Sequence, residues 1–286
     1  MFSLTILVDD VKGPELVQAE HGLSIWIEAA GLRVLFDAGQ GSAARDNARL
    51  LGIDLAEADA VAISHGHYDH TGGLSCILPD CRKARLFLHP EALQPRYSRS
   101  IDGGARSVGY PHQAEELWAG RSGGIAWTQT VTHINPSIFV TGEIPRTASP
   151  ESPTGRFFLD SGCRAPDPLA DDQALVVDTD EGAIVILGCS HAGVGNTLSY
   201  ALGKSKSGML RAVIGGMHLC DAPQEEIVRL ADLFEKLSPT LVCPCHCTGQ
   251  QAKEVFRHRF PEAYREGYTG LTITFDVDFP FSEESN

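Results

Sequence analysis

Positive charge is scarce in this chain: 23 lysines and arginines stand against 37 aspartates and glutamates, a formal balance of −14 over 286 residues. Such a surface repels phosphodiester backbones, so nucleic acid is not an expected partner. Long apolar runs are missing as well. The cleanest, Ala183–Leu187, falls far short of the roughly 20 residues that a membrane helix needs, so no membrane partner is expected. The opening MFSLTILVDD has no basic region and meets two acids at once, which does not read as an export signal. The eight cysteines are therefore expected as reduced thiols of a cytoplasmic protein rather than as a disulfide framework. Low-complexity tracts, charge blocks and repeats of about 20–50 residues are lacking, which argues against a solenoid. No pattern in the chain speaks to oligomeric state.

What is present is an ordinary globular composition, 43% apolar and 21% charged. Ser3–Val8, Leu23–Ala29 and Arg33–Phe36 read as strands, with a hairpin turn at Ala30-Gly31. Ser42–Leu51 reads as a short helix, and the apolar strand Ala60–Ser64 runs straight into His65. From about 90 to 156 the chain is rich in Gly, Pro, Ser and Arg, with only a hint of helix at Gln113–Ala119 and of strand at Ser137–Thr141. Loop-rich segments of this length often serve as lids. The last third alternates strands (Ala174–Val177, Ala183–Leu187, Ala212–Ile214, Thr240–Cys243, Leu271–Phe275) with helices, of which Gln224–Leu237 is plainly amphipathic. Interleaved strands and helices predict an α/β layered fold.

The strongest chemical signal is Ser64-His65-Gly66-His67-Tyr68-Asp69-His70-Thr71-Gly72-Gly73. Composition alone would place H-x-H-x-D-H in about one chain in a thousand. Clustered imidazoles and a carboxylate directly after a rigid strand suit zinc, iron or manganese. His65 and His67, two apart, can project together, leaving Asp69 and His70 for a second cation beside the first. Four residues do not complete two such shells. His191, His218 and His246 each follow an apolar strand and a turn, which makes them the expected further donors.

The chain resembles the metallo-β-lactamase superfamily. HGHYDHTGG matches the signature, LFDAG precedes it, and GCSHAGVGNT, GGMHL and HCTG resemble the branch of dihydropterin-linked ribofuranosyl-aminobenzene 5′-phosphate synthase-like proteins. The resemblance implies a four-layer αββα sandwich spanning residues 1–286 as one domain, with two divalent metal ions, zinc foremost, at one edge of the two sheets. By the same match His65, His67, Asp69 and His70 are ligands, His191 fills the next position and His246 the last. Many relatives carry a bridging Asp in a GD pair where this chain has Gly188-Cys189. Cys189 is the chemically plausible replacement, because a thiolate binds zinc, and Asp171 and Asp172 are the carboxylate alternatives.

Other roles are read more loosely. Asp37, at a strand end, is expected to orient a ligand. His218 is expected to bind substrate, donate a proton or back up a ligand. The run Cys243-Pro244-Cys245-His246-Cys247, taken as strand, puts its three thiols on one face and reads as structural, with a redox use open. Arg96, Arg99, Arg106, Arg121, Arg146 and Arg156 crowd the loop-rich segment, and Arg146, with Thr248 and Gly249 ahead of a helix at Gln250–Arg257, is expected to hold an anionic small molecule. Together these features suggest hydrolysis of a small anionic ester, lactone or phosphoester, with Asp69 and His218 catalytic. The branch resemblance offers a transferase joining phosphoribosyl diphosphate to an aminobenzoate. The cysteine run offers a non-catalytic redox or metal-sensing protein.

Overall fold

Period-two alternation in strands that are buried on both faces builds the layers of this protein. A computed structural model describes residues 1–13, 16–99, 103–111, 122–147 and 156–280. One sheet runs, in spatial order, Thr272–Phe275 (β16), Phe2–Val8 (β1), Ser24–Ala29 (β2), Leu32–Phe36 (β3), Ala60–Ala62 (β4), Arg85–Leu88 (β5) and Ile125–Trp127 (β8). The second runs Leu241–Cys245 (β15), Leu210–Gly216 (β14), Gly182–Leu187 (β13), Leu175–Thr179 (β12), Ile138–Val140 (β10) and Thr132–Asn135 (β9). A small third sheet joins Phe157–Phe158 (β11), Tyr97–Arg99 (β6) and Ala105–Ser107 (β7).

Leu4, Ile6, Ile25, Ile27, Val34 and Phe36 of the first sheet meet Leu175, Val177, Ile184, Ile186 and Ile214 of the second in one core. The residues between them in sequence face outward. Trp26, Leu35 and Val61 pack under Ala43–Leu50 (α1) and Leu74–Ile77 (α3). Val176, Val185 and Val213 pack under Val194–Lys204 (α4), Gln224–Leu237 (α5) and Gln250–Arg259 (α6). Three cores between four layers make the αββα sandwich. Burying both faces of these strands explains why they read as apolar runs.

The loop-rich reading of residues 90–156 needs correction. That segment supplies the edge strand β8 to one main sheet and the edge strand β9 to the other, with β10, the strand hinted at over Ser137–Thr141, paired between β9 and β12. Edge strands are half exposed, as Trp127 is at 48%, so they carry no apolar run to betray them. The hinted helix Gln113–Ala119 and Arg121 lie outside the described residues. Helix α4 was not legible either, because its N-cap is Gly193, with no capping side chain to mark a start.

Arg96 is likewise not available to a ligand. It is fully buried, donating from Nη1 and Nη2 to both oxygens of Asp171 at 2.6 Å and from Nε to Asp167 at 2.7 Å. Asp171 in turn accepts the Gly66 N–H of the histidine loop at 2.7 Å. A Cβ on Gly66 would collide with the Ala92 carbonyl oxygen and the Arg96 guanidinium. Removing Arg96 would leave two buried carboxylates uncompensated. Arg96→Ala is expected to cost about 3–5 kcal/mol of unfolding free energy, measured as a lower urea midpoint at unchanged slope.

Candidate metal centre

Every residue of the centre lies past the carboxyl end of a strand. Strand β4 delivers Ser64 and His65, β3 delivers Asp37, β13 delivers Cys189 and His191, β14 delivers His218, and β15 delivers His246 and Cys247. Because β3 pairs parallel with β4, and β13 with β14 and β14 with β15, these ends open on one edge of the sandwich. Four of the turns hold a non-glycine residue in the left-handed region: Asp37 (φ 61°), Ser190 (60°), His218 (50°) and His246 (47°). Such a conformation costs about 1–3 kcal/mol each, and it turns the chain sharply enough to aim the side chains inward. His67 caps the one-turn helix Tyr68–Thr71 (α2), which carries Asp69 and His70.

Two donor groups result. In the first, His65 Nε2 lies 3.0 Å from His67 Nδ1, and His191 Nε2 lies 3.2 Å from each. Nitrogens on a tetrahedral zinc, bound at about 2.0–2.1 Å, are about 3.3 Å apart. Burial, reinforced by neighbouring imidazoles, pushes His65 and His191 well below the ordinary histidine range, and burial pushes His67 down to about 3. All three are therefore neutral at pH 7 and offer lone pairs. In the second group, His70 Nε2 lies 3.3 Å from His246 Nε2 and 3.2 Å from Cys189 Sγ, with an Asp69 oxygen 3.4–3.6 Å from both rings.

The tautomers of the second group are fixed from outside. Asp37 accepts from His70 Nδ1 at 2.7 Å, and Asp10 accepts from His246 Nδ1 at 2.9 Å. With Nδ1 of each ring engaged by a carboxylate, the two Nε2 atoms face one another at 3.3 Å, placed to share a cation. Burial alone would weaken proton binding at His246, but the Cys247 sulfur and the Asp10 and Asp69 carboxylates outweigh it and raise it. Burial would likewise raise the Asp69 carboxyl, yet His70 and His246 hold it below the usual carboxylate range, so it is ionised. Positive charge is favoured at this point. The donor set fits a cation in each group.

Cys189 falls within ligand distance of both groups, with His65 and His191 on one side and His70 and His246 on the other. The carboxylate alternatives are employed elsewhere: Asp171 in the Arg96 clamp, and Asp172 against the Ala192 N–H at 2.8 Å. Burial pushes the Asp172 carboxyl up to about 7.

The remaining expectations divide. Asp37 lies against His70 Nδ1 and accepts both the N–H and the hydroxyl of Ser64, where it could orient a donor. Gly249 lines the cavity in front of the centre, about 470 Å³ in volume, whereas the Thr248 hydroxyl turns back to the Cys245 carbonyl. Arg146 donates to the carbonyls of Pro168 and Leu169 and does not line that cavity. Among the described arginines the cavity is lined by Arg106, which lies over the Tyr68 ring at 5.2 Å and donates to its hydroxyl at 2.8 Å. Arg156 borders a neighbouring cleft, paired with Asp221.

Sequence reasoning missed Asp10, His21 and Phe157. His21 stands between Asp10 (3.1 Å) and Asp69 (3.4 Å) at the cavity wall. Phe157 lies over His67 with ring centroids 4.5 Å apart. Asp9-Asp10 follows β1 as Asp37 follows β3, a strand-then-acid signal that would have found it; nothing marks His21. Replacing Asp37 by Asn removes the charge that sets the His70 tautomer. Metal affinity is expected to fall about 10–100-fold in chelator competition, with far-ultraviolet circular dichroism unchanged.

A family model described as a beta-lactamase superfamily domain matches residues 32–137. The 7,8-dihydropterin-6-methyl-4-(beta-D-ribofuranosyl)-aminobenzene-5′-phosphate synthase of Methanocaldococcus jannaschii is 31% identical over 270 residues, 90% of each chain. An uncharacterized protein of the same organism is 32% identical over 251 residues, covering 87% of this chain and 91% of its own. A crystal structure described as a metal-dependent hydrolase of the beta-lactamase superfamily is 34% identical and superposes with a TM-score of 0.82, covering 96% of this chain and 99% of that one. With the fold, the signature loop and full-length relatives in agreement, the chain belongs to the metallo-β-lactamase superfamily.

Proposed function

We propose that this protein is a metal-dependent hydrolase of a small anionic ester, lactone or phosphoester. One observation carries the reading: two donor groups, joined through Cys189, open on a single cavity that Arg106 and His218 also line. His65, His67 and His191 would hold one divalent ion, and Asp69, His70 and His246 the other, with Cys189 between them. A divalent cation held there supplies Lewis acidity and a water nucleophile at neutral pH.

The chain's own residues do the rest. The ionised Asp69 carboxylate faces the cavity and accepts a proton-bearing group, which orients a water for attack. Arg106, held against Tyr68, offers N–H donors to an anionic substrate. Burial would lower the affinity of the His218 ring for a proton, but the Cys247 sulfur outweighs burial and raises it above the ordinary histidine range. That suits His218 to protonate a leaving group. The four-layer relative at 34% identity, described as a metal-dependent hydrolase, supports the same class.

The M. jannaschii relative, a ribofuranosyl-aminobenzene-5′-phosphate synthase by name, favours a second reading, for which we propose a transferase that joins phosphoribosyl diphosphate to an aminobenzoate. The two separate by product. Metal-loaded protein is expected to turn over members of a panel of phosphodiesters, phosphomonoesters and lactones, to lose that activity to a chelator and to regain it on metal addition. Loss of all turnover on the panel, with diphosphate released only when both transferase substrates are present, would establish the transferase instead. His191→Ala removes a donor from the first group and should lower turnover by several kcal/mol of barrier, on the order of 10³-fold.

A further inference from the structure

The Cys243-Pro244-Cys245-His246-Cys247 run does not behave as one face of a strand. Cys243 and Cys245 are fully buried in the core between the sheets. Strand β15 ends at Cys245, and the turn that follows swings Cys247 out to the cavity wall. There its Sγ accepts the His218 backbone N–H at 3.3 Å and lies 3.8 Å from the Cys189 carbonyl oxygen. The Sγ atoms of Cys189 and Cys247 and a ring nitrogen of His218 lie within 4.8 Å of one another. His218 Nδ1 is buried and has no hydrogen-bond partner. Three strand ends, those of β13, β14 and β15, thus supply two sulfurs and an imidazole at one point, of which the histidine groups share only Cys189.

The chemistry of this triad differs from that of its neighbours. Apart from the shared Cys189, the histidine groups are built from imidazole and carboxylate, donors that accept many divalent ions. Two thiols with one imidazole select soft, thiophilic ions. Around a tetrahedral ion with metal–sulfur bonds of about 2.3 Å, sulfurs sit about 3.8 Å apart, so the observed spread closes on an ion with small side-chain movements. A thiolate has more than one lone pair, and Cys189 can serve the triad while facing the histidine groups.

We propose that Cys189, His218 and Cys247 form a separate site for a thiophilic d¹⁰ cation, such as a cuprous, cadmium, mercuric or zinc ion, sharing Cys189 with the histidine centre. Binding exchanges the thiol protons for the ion, with no change of oxidation state. An ion there also takes the His218 nitrogen out of proton transfer, so the site stands beside the hydrolase reading and does not require it.

Cadmium is the probe. The full chain, with its resident metal content measured first, is titrated under oxygen-free conditions with a phosphine reductant. Uptake is followed by elemental analysis and by thiolate-to-cadmium charge-transfer absorption in the ultraviolet. The expected result is one cadmium bound per chain with the resident metal retained. Cys247→Ser should lose that cadmium and the absorption that accompanies it, and His218→Ala should bind it more weakly. Cys220→Ser removes a cavity cysteine outside the triad and should bind as the parent does. Cadmium that replaces resident metal one for one, or uptake that survives Cys247→Ser unchanged, overturns the proposal. Neither readout depends on turnover, so failure of the site and failure of the hydrolase reading are distinguishable.

Discussion

Two imidazole nitrogens held 3.3 Å apart inside a protein need something positive between them, a proton or a metal ion. The pairing of His70 with Asp37 and of His246 with Asp10 imposes that condition, because each carboxylate engages Nδ1 and turns Nε2 toward the other ring. The centre is therefore an electrostatic demand that the surrounding carboxylates create, and the histidine triad beside it, kept neutral by burial, adds a second set of donors on the same terms.

The fold meets this demand by stacking two sheets whose parallel strands end on the same edge. No single element could carry the site: its donors are separated by up to 181 positions in sequence, from His65 to His246, and they meet only because β4 and β15 terminate at the same edge. Holding them there is costly. Four turns adopt left-handed backbone at non-glycine residues, and the histidine loop is pinned through Gly66 to a buried Asp171–Arg96 pair. Local strain of this kind persists only where the packed core on either side over-determines it. Here three interlayer cores do so.

Sulfur gives this centre its particular character. Where the family resemblance leads one to expect a carboxylate between the two donor groups, Cys189 provides a buried thiol, and Cys247 brings a second thiol to the adjoining wall. The exchange keeps the capacity for one negative charge while softening the donor, and it leaves most of the carboxylates in supporting roles. Asp37 and Asp10 set tautomers, Asp171 holds the loop, and Asp172 braces the turn of His191. An acidic chain thus concentrates its carboxylates behind the donors, with Arg106 at the open side.

The sequence by itself determined the layered α/β class and the helix Gln224–Leu237 to the residue, and it singled out His65–His70 as candidate donors, because strand-then-ligand is a local pattern and apolar periodicity is written along the chain. It also pointed to His191, His246, Cys189 and Asp37, each standing just past an apolar run. Tertiary structure alone decided that Arg96 is a buried clamp and Arg146 a loop brace. An arginine's charge reads the same in sequence whether it faces a ligand or a buried Asp171. It decided that Cys247 parts company with Cys243 and Cys245, since where a strand ends depends on the neighbour it pairs with. And it brought His21 to Asp69 and Asp10 to His246, meetings set by how β1 lies in the first sheet and invisible to any spacing rule.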